Sequence, residues 1–447
     1  MKVLLVLCSL VFLLEVLVLT HKTSDLFNLK LPSINLFYYG WYLIIFLSSI
    51  AIFFESDTSY DVSYFLMMAF GACGFPIGII CANILCKYSG KENRRYSLQS
   101  IDFSSLDKKM KDIYPWIFAV SIGLIFLYMY EVKEIPIIYM LKGGKNAQEF
   151  ALMRENSFKL LNSRFIYLYA WNRTVILPYL SMYSFAAMLI KEELRWRIWF
   201  FITLPVALFN ASFSGAEAPI AEIFLLLFFI LYIKKKGRLN ILYYVFGVAI
   251  VLSYSIILPM TIGGEMNILS TVSSVYAKVL KRFSIDTAER LFNYVKIFSI
   301  EGFLYGRGNR LTALLTGQDF FNIPNHVFVT LYPKLLASGH ANAPFVGYMY
   351  ADFGLLGSLI GAIFMGITSQ LFQIYFTRRE KNIMNIVSYT FCINAFRKML
   401  STSLTTVLIT HGPFILILLP SIIKVFHEFL KTSTSRRPKG DLEKIEE

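Results

Sequence analysis

VSYFLMMAFGACGFPIGIICANILC, residues 62–86, runs 25 positions without a charged side chain. As an α-helix rising 1.5 Å per residue it would reach about 37 Å, more than the roughly 30 Å hydrocarbon layer of a bilayer. Comparable apolar runs lie on both sides of it, at 3–20, 36–54, 113–130, 165–190, 198–213, 218–233, 240–262, 344–376, 383–400 and 403–426. Together they predict an all-α polytopic membrane protein of about 11 helices, within a range of roughly 10 to 13. Composition excludes the soluble alternative: of 447 residues 56% are hydrophobic and only 16% charged, the wrong balance for water-soluble domains.

Five short basic segments, 87–111, 191–197, 234–238, 378–381 and the tail around Arg436, Arg437 and Lys439, fall on one side under this count. That side is therefore cytoplasmic, the C-terminus lies inside, and parity puts the N-terminus outside. The chain divides into N-terminal transmembrane helices at 1–130, a first outer loop at 131–164, and central helices at 165–262. A large outer loop at 263–343, C-terminal helices at 344–430 and a cytoplasmic tail at 431–447 complete it. The run from Val3 to Thr20 reads as a retained helix, since Glu15 interrupts it and no small-residue cleavage site is visible after it; a cleaved signal is the alternative. Trp116, Trp196 and Trp199 fall at predicted span ends, where the indole prefers the headgroup layer.

The two long outer segments carry helix signals. Asn146 and Glu149 have capping-box spacing before Phe150, Met153, Phe158 and Leu161, and Asp286 and Glu289 repeat it before Leu291, Tyr294, Val295 and Phe298. Cys8, Cys73, Cys81, Cys86 and Cys392 lie in or beside apolar runs, with no disulfide framework or zinc spacing. Gly347, Gly354 and Gly361, with Gly357, make a small-residue face suited to close helix packing. The sequons at Asn172 and Asn210 sit inside predicted spans and are discounted.

Charge points to the chemistry. Lys and Arg number 43 against 29 Asp and Glu, a net +14. With no nucleic-acid-binding module present, that surplus favours anionic lipid or phosphate partners. Arg307 and Arg310 stand three apart in Gly306-Arg307-Gly308-Asn309-Arg310, so two guanidinium forks can converge on one phosphate; a solvated basic loop, or arginines snorkelling to lipid headgroups, is the plainer reading. Arg173 and Arg397 interrupt apolar spans, which costs about 3 kcal/mol each at mid-bilayer unless they face protein or water. Lys398, Glu217, Glu222, Asp352 and His411 are further charged or titratable candidates, Lys398 and Glu217 equally readable as span ends. His326 and His340 flank the end of the large loop, where an imidazole can take a proton from a hydroxyl nucleophile. No nucleotide-binding loop, metal-protease motif or serine-nucleophile elbow is present, so a transferred group would arrive already activated.

The stretch 338–366, SGHANAPFVGYMYADFGLLGSLIGAIFMG, resembles the end of the large periplasmic loop and the following helix of O-antigen polymerases, the Wzy-type oligosaccharide repeat-unit polymerases. Gly339, Ala341-Asn342, Phe345, Gly347, Tyr350, Asp352-Phe353-Gly354 and Gly357 carry the likeness, with Phe396-Arg397 on a late outer turn. Glu217 and Lys398 depart from the pattern, as does the odd span count. The resemblance implies a multi-pass enzyme of the bacterial inner membrane, similar in its helical body to lipid-dependent, GT-C-like glycosyltransferases. It would join glycan repeats carried on undecaprenyl pyrophosphate, with membrane lipids and a chain-length regulator as further partners and without cofactor or metal. On that basis Arg173, Arg282, Arg290, Arg307, Arg310 and Arg397 are expected to bind pyrophosphate, His340 to activate the acceptor hydroxyl and Asn342 to shape the site. An O-antigen ligase using the same donor, and a transporter of the lipid-linked glycan, are the rival readings.

Overall fold

The computed structural model describes residues 1–28, 30–132, 135–141, 153, 157, 165–213, 215, 217–238, 281, 282, 284–334 and 339–435. Among them the chain is helical and holds no strand, only an isolated bridge between Asp102 and Asn382. The helices are α1 Lys2–Ser24, α2 Ile34–Glu55, α3 Asp61–Leu85, α4 Gly90–Leu98, α5 Ser105–Glu131, α6 Pro136–Leu141, α7 Ile166–Lys191 and α8 Leu194–Ser212. Then come α9 Glu217–Lys234, α10 Ile285–Glu301, α11 Arg310–Thr316, α12 Ile323–Leu331, α13 Phe345–Thr377, α14 Ile383–Arg397 and α15 Pro413–Ser435.

Seven stretches among the described residues are long and apolar enough to cross a membrane: α1, α2, α3, α5, α7, α13 and Thr406–Glu428. The expected spans at 198–213 and 218–233 are helices, α8 and α9, while 240–262 lies outside the described residues. The expected span at 383–400 falls on α14 and the 3-10 turn Lys398–Leu400 that follows it. α14 has 15 residues, a rise of about 22 Å, and every residue from Ile383 to Phe396 is buried. It is apolar because protein surrounds it on all sides, and hydropathy alone does not separate that case from lipid contact.

The four basic segments within the described residues gather at one end; the tail around Arg436 lies outside them. Arg378 pairs with Glu92 at 2.9 Å, Lys381 Nζ donates to the Ser97 and Gln99 carbonyls, Lys236 to that of Leu98, and Arg195 to that of Lys111. α1 spans the whole height. Near one end Lys2 Nζ reaches the Phe53 and Ser56 carbonyls and Asp61 at the α2–α3 turn, and at the other Arg94 forks onto Asp25. Lys2 therefore lies at the end opposite the basic loops.

α3 and α13 cross at backbone contact. A Cβ on Gly78 would strike the Ile363 carbonyl, one on Gly366 the Phe75 carbonyl, and one on Gly74 would stand 3.0 Å from the Ala362 Cβ. α13 is itself sharply bent at Gly354 (φ 67, ψ −154), so that Ser358 Oγ donates to the Val346 carbonyl at 3.2 Å and Gly357 and Gly361 face Met349. The expected glycine face exists, but Gly357 and Gly361 receive the folded-back start of their own helix, while Gly347 receives Leu291 and Tyr294 of α10.

Two local expectations change. Trp196 is no interfacial anchor: it is fully buried, edge-on to Tyr114 and Tyr183, whereas Trp116 is exposed and Trp199 rests on Tyr114 and Phe118. In α10 the stripe Leu291, Tyr294, Val295, Phe298 is buried as expected, but the helix starts at Ile285 and Asp286 is inside its first turn. The turn is tied instead by Thr287 Oγ1 donating to the Arg282 carbonyl. The expected helix at 146–161, Met153 and Ser157 excepted, and its basic neighbours lie outside the described residues. Asn172 and Asn210 are buried within helices, and all five cysteines are free thiols.

Candidate anion site

Pro178 stands at the start of the regular part of α7, where its ring and missing N–H disturb the preceding turn. The turn widens to a π-helix over Asn172–Ile176, which carries Arg173. A second π-helix, Thr406–Thr410, ends in His411, Gly412 (φ 90) and Pro413. The two meet: a Cβ on Gly412 would lie 3.0 Å from Val175 Cγ2. Single π-turns recur at functional sites, because the widened turn frees backbone groups and re-aims side chains.

The end of α14 enters the same place. Lys398 Nζ stands 2.7 Å from Glu222 Oε2 and 3.3 Å from His411 Nδ1. Arg397 places Nη2 3.3 Å from Glu222 Oε1, and its Nε and Nη2 both donate to Asn394 Oδ1. Arg173 lies within electrostatic range of Lys398, its guanidinium 5.9 Å from the Tyr169 ring, which stacks on Tyr128 at 4.0 Å. Lys398 and Arg397 thus share one carboxylate, with Arg173 beside them. At 1.5 Å per residue Arg397 stands about 21 Å above the start of α14, Glu222 about 18 Å above the end of α9, and Arg173 about 27 Å above the end of α7. All three helices end among the basic loops, so the cluster sits toward the end of the helix bundle farther from them.

Above it lies the Gly306–Arg310 loop. Asp352, buried in α13, accepts from Gly308 N–H at 2.9 Å, and its carbonyl takes Tyr305 N–H. A Cβ on Gly308 would stand 2.8 Å from Asp352 Oδ1, so only glycine lets the carboxylate come this close. Asn309 caps α11 through Leu311 N–H. Arg307 and Arg310 are both exposed; Arg307 donates to the Asp319 carbonyl and faces Phe321, while Arg310 rests on Phe320 and donates to Tyr167 Oη at 3.2 Å. Tyr167 and Arg173 belong to the same helix, so α7 connects this loop to the cluster.

The remaining residues form a third group. Arg290 donates to the carbonyls of Asp286, Asn342 and Arg282 and to Thr287 Oγ1. Burial and the neighbouring Arg282 lower its guanidinium pKa from the usual range. Its donors are committed to holding the loop ends in place. Asn342 is exposed and is held there through its carbonyl; His340 is exposed and makes no hydrogen bond with a described residue. His326, by contrast, sets Nε2 2.7 Å from Glu301 and packs on Phe298 and Phe321. Among the described residues, then, the six arginines fall in three places: Arg173 and Arg397 about Lys398, Arg307 and Arg310 on the one loop, and Arg282 beside Arg290.

The partners missing from the expected site are Lys398, Glu222 and His411. Each was visible as a charged or titratable group in an apolar run, but nothing local in the sequence joins Glu222 to residues 175 positions away. Pro178 and the Gly412-Pro413 pair were the available signals for the two distorted turns. No protein-family model, curated protein or solved structure matches the chain.

Proposed function

We propose that this chain polymerises undecaprenyl-pyrophosphate-linked O-antigen repeat units at the periplasmic face of the bacterial inner membrane, transferring the growing glycan to the incoming unit. The eleven-span count and the kinship with GT-C-like glycosyltransferases belong to the same proposal. The observation that supports it is the cluster in which Arg397 and Lys398 share Glu222 with Arg173 beside them, toward the end of the helices away from the basic loops. A diphosphate on a membrane-held lipid is an anion that reaches such a depth, and guanidinium groups match its oxygens in pairs.

In the reaction the bond from the donor sugar's anomeric carbon to the diphosphate oxygen breaks, and one to the acceptor hydroxyl oxygen forms. The acceptor proton passes to a base, assigned to His340, and the departing diphosphate keeps the electron pair. Charge on it grows through the transition state, and fixed cations stabilise it most there. Arg173, Arg397 and Lys398 fill that role, Arg307 and Arg310 hold the headgroup at the outer rim, and Arg282 and Arg290 keep the His340–Asn342 segment in position.

The test is to reconstitute the purified protein with synthetic undecaprenyl-pyrophosphate repeat units and look for dimers and longer glycans. Activity should survive chelators, and Arg397→Ala should lower turnover by about a hundredfold, the scale of losing one charge-stabilising donor. Absence of any glycan product would overturn the proposal. Transfer of single units to a lipid A core acceptor would replace it with a ligase, and movement of units across the bilayer without new glycosidic bonds would replace it with a transporter.

A further inference from the structure

The segment from Phe303 to Phe320 exposes apolar side chains on the outer rim. Leu314 and Leu315 of α11 are each 77% exposed, and Leu311, Tyr305 and Phe320 are exposed beside them. Leaving several such side chains in water is unfavourable by roughly 1.5–3 kcal/mol apiece relative to burial. The surface they belong to is continuous with a lipid-facing one. Leu356, Ile360 and Phe364 form an exposed apolar stripe along α13, at helical spacing on a candidate membrane span, and Phe353 is exposed at the bend before them. The segment begins where that stripe ends: Leu304 and Tyr305 N–H bond the Ala351 and Asp352 carbonyls, and a Cβ on Gly306 would lie 3.4 Å from the Phe353 ring. Its other side reaches Tyr167, itself exposed, at the outer end of α7.

We propose that residues 303–320 form an interfacial wedge: α11 lies in the outer leaflet with Leu311, Leu314 and Leu315 among the acyl chains, and Arg307 and Arg310 stand at the plane of the lipid phosphates. The occupant of this apolar surface is the bilayer itself. An amphipathic element seated a few ångströms below the headgroups, with guanidinium groups extending back to them, has this composition, and Tyr305 belongs to the aromatic belt. The inference concerns where the segment sits and holds whether or not the chain is a polymerase. If it is one, the wedge sets the height at which a lipid diphosphate meets the arginines.

The experiment places an environment-sensitive fluorophore on Leu314→Cys or Leu315→Cys, with Cys8, Cys81 and Cys86 replaced by serine, in phosphatidylcholine–phosphatidylglycerol nanodiscs. Lys334→Cys, on the exposed end of the same outer region, serves as the aqueous reference. The α11 probes should be quenched severalfold by lipids spin-labelled near the headgroup and hardly by iodide, with the reverse at position 334. Iodide quenching at 314 and 315 as strong as at 334 would overturn the wedge. The unaltered protein gives a second readout: a carbene reagent dissolved in the bilayer should label the peptide holding Leu311–Leu315. Label confined to the long helices, with none on that peptide, would likewise overturn it.

Discussion

Glu222 neutralises two cations with one carboxylate, at 2.7 Å from Lys398 and 3.3 Å from Arg397, and all three side chains are largely withdrawn from solvent. Removing one member of a buried ion group is costlier than never having built it, because the others keep their charge. Glu222→Ala should therefore lower stability by about 3–5 kcal/mol, read as a fall in the unfolding midpoint in detergent, and adding Lys398→Met should recover part of the loss. Asp352→Ala leaves Gly308 N–H unpaired at the base of the arginine loop, a loss of about 1–3 kcal/mol, whereas Asp352→Asn keeps an acceptor and should retain most of the stability. At this scale the sequence revealed which residues were unusual but not whom they meet. Arg173 and Arg397 stood out because a charge in an apolar run demands a reason. Asp352 was visible as an acid inside a span, but its duty toward Gly308, 44 positions earlier, emerges only when α13 bends.

Gly354 makes that bend possible, in a region of backbone space that only glycine occupies without strain. Gly354→Ala should destabilise the chain by about 1–3 kcal/mol from the backbone alone, and more because the new Cβ would meet the Phe303 ring at 2.9 Å. Unfolding midpoints of Gly354→Ala against Gly123→Ala, an open position on α5, would measure it. Elements with a one-sided pattern were legible: α10 lies where its i, i+3, i+4, i+7 stripe placed it, although its first turn is secured by Thr287 and not by a capping box. α14 was less legible for the opposite reason. A helix enclosed by protein has no polar face, so its apolar run does not tell which neighbours surround it.

For the whole molecule, the basic loops set the expected orientation, since positive charge is retained on the cytoplasmic side; the structure draws those loops together at one end. A membrane-impermeant maleimide should label Lys334→Cys in spheroplasts and Lys236→Cys only after permeabilisation; the reverse pattern would invert the molecule. What the sequence could not supply was the path of distant helices past one another, which depends on where side chains are absent. The α3–α13 crossing is such a place. Two helices whose carbonyls lie against each other's glycines have no rotamers to rearrange between them, so they neither slide nor part by small steps. Among the described residues, breathing is expected instead where the two widened turns abut at Val175 and Gly412. Amide exchange in a bilayer should register the difference as a stiff spine facing a compliant flank, with slow deuterium uptake at 71–78 and 362–369 and faster uptake at 172–176 and 406–412.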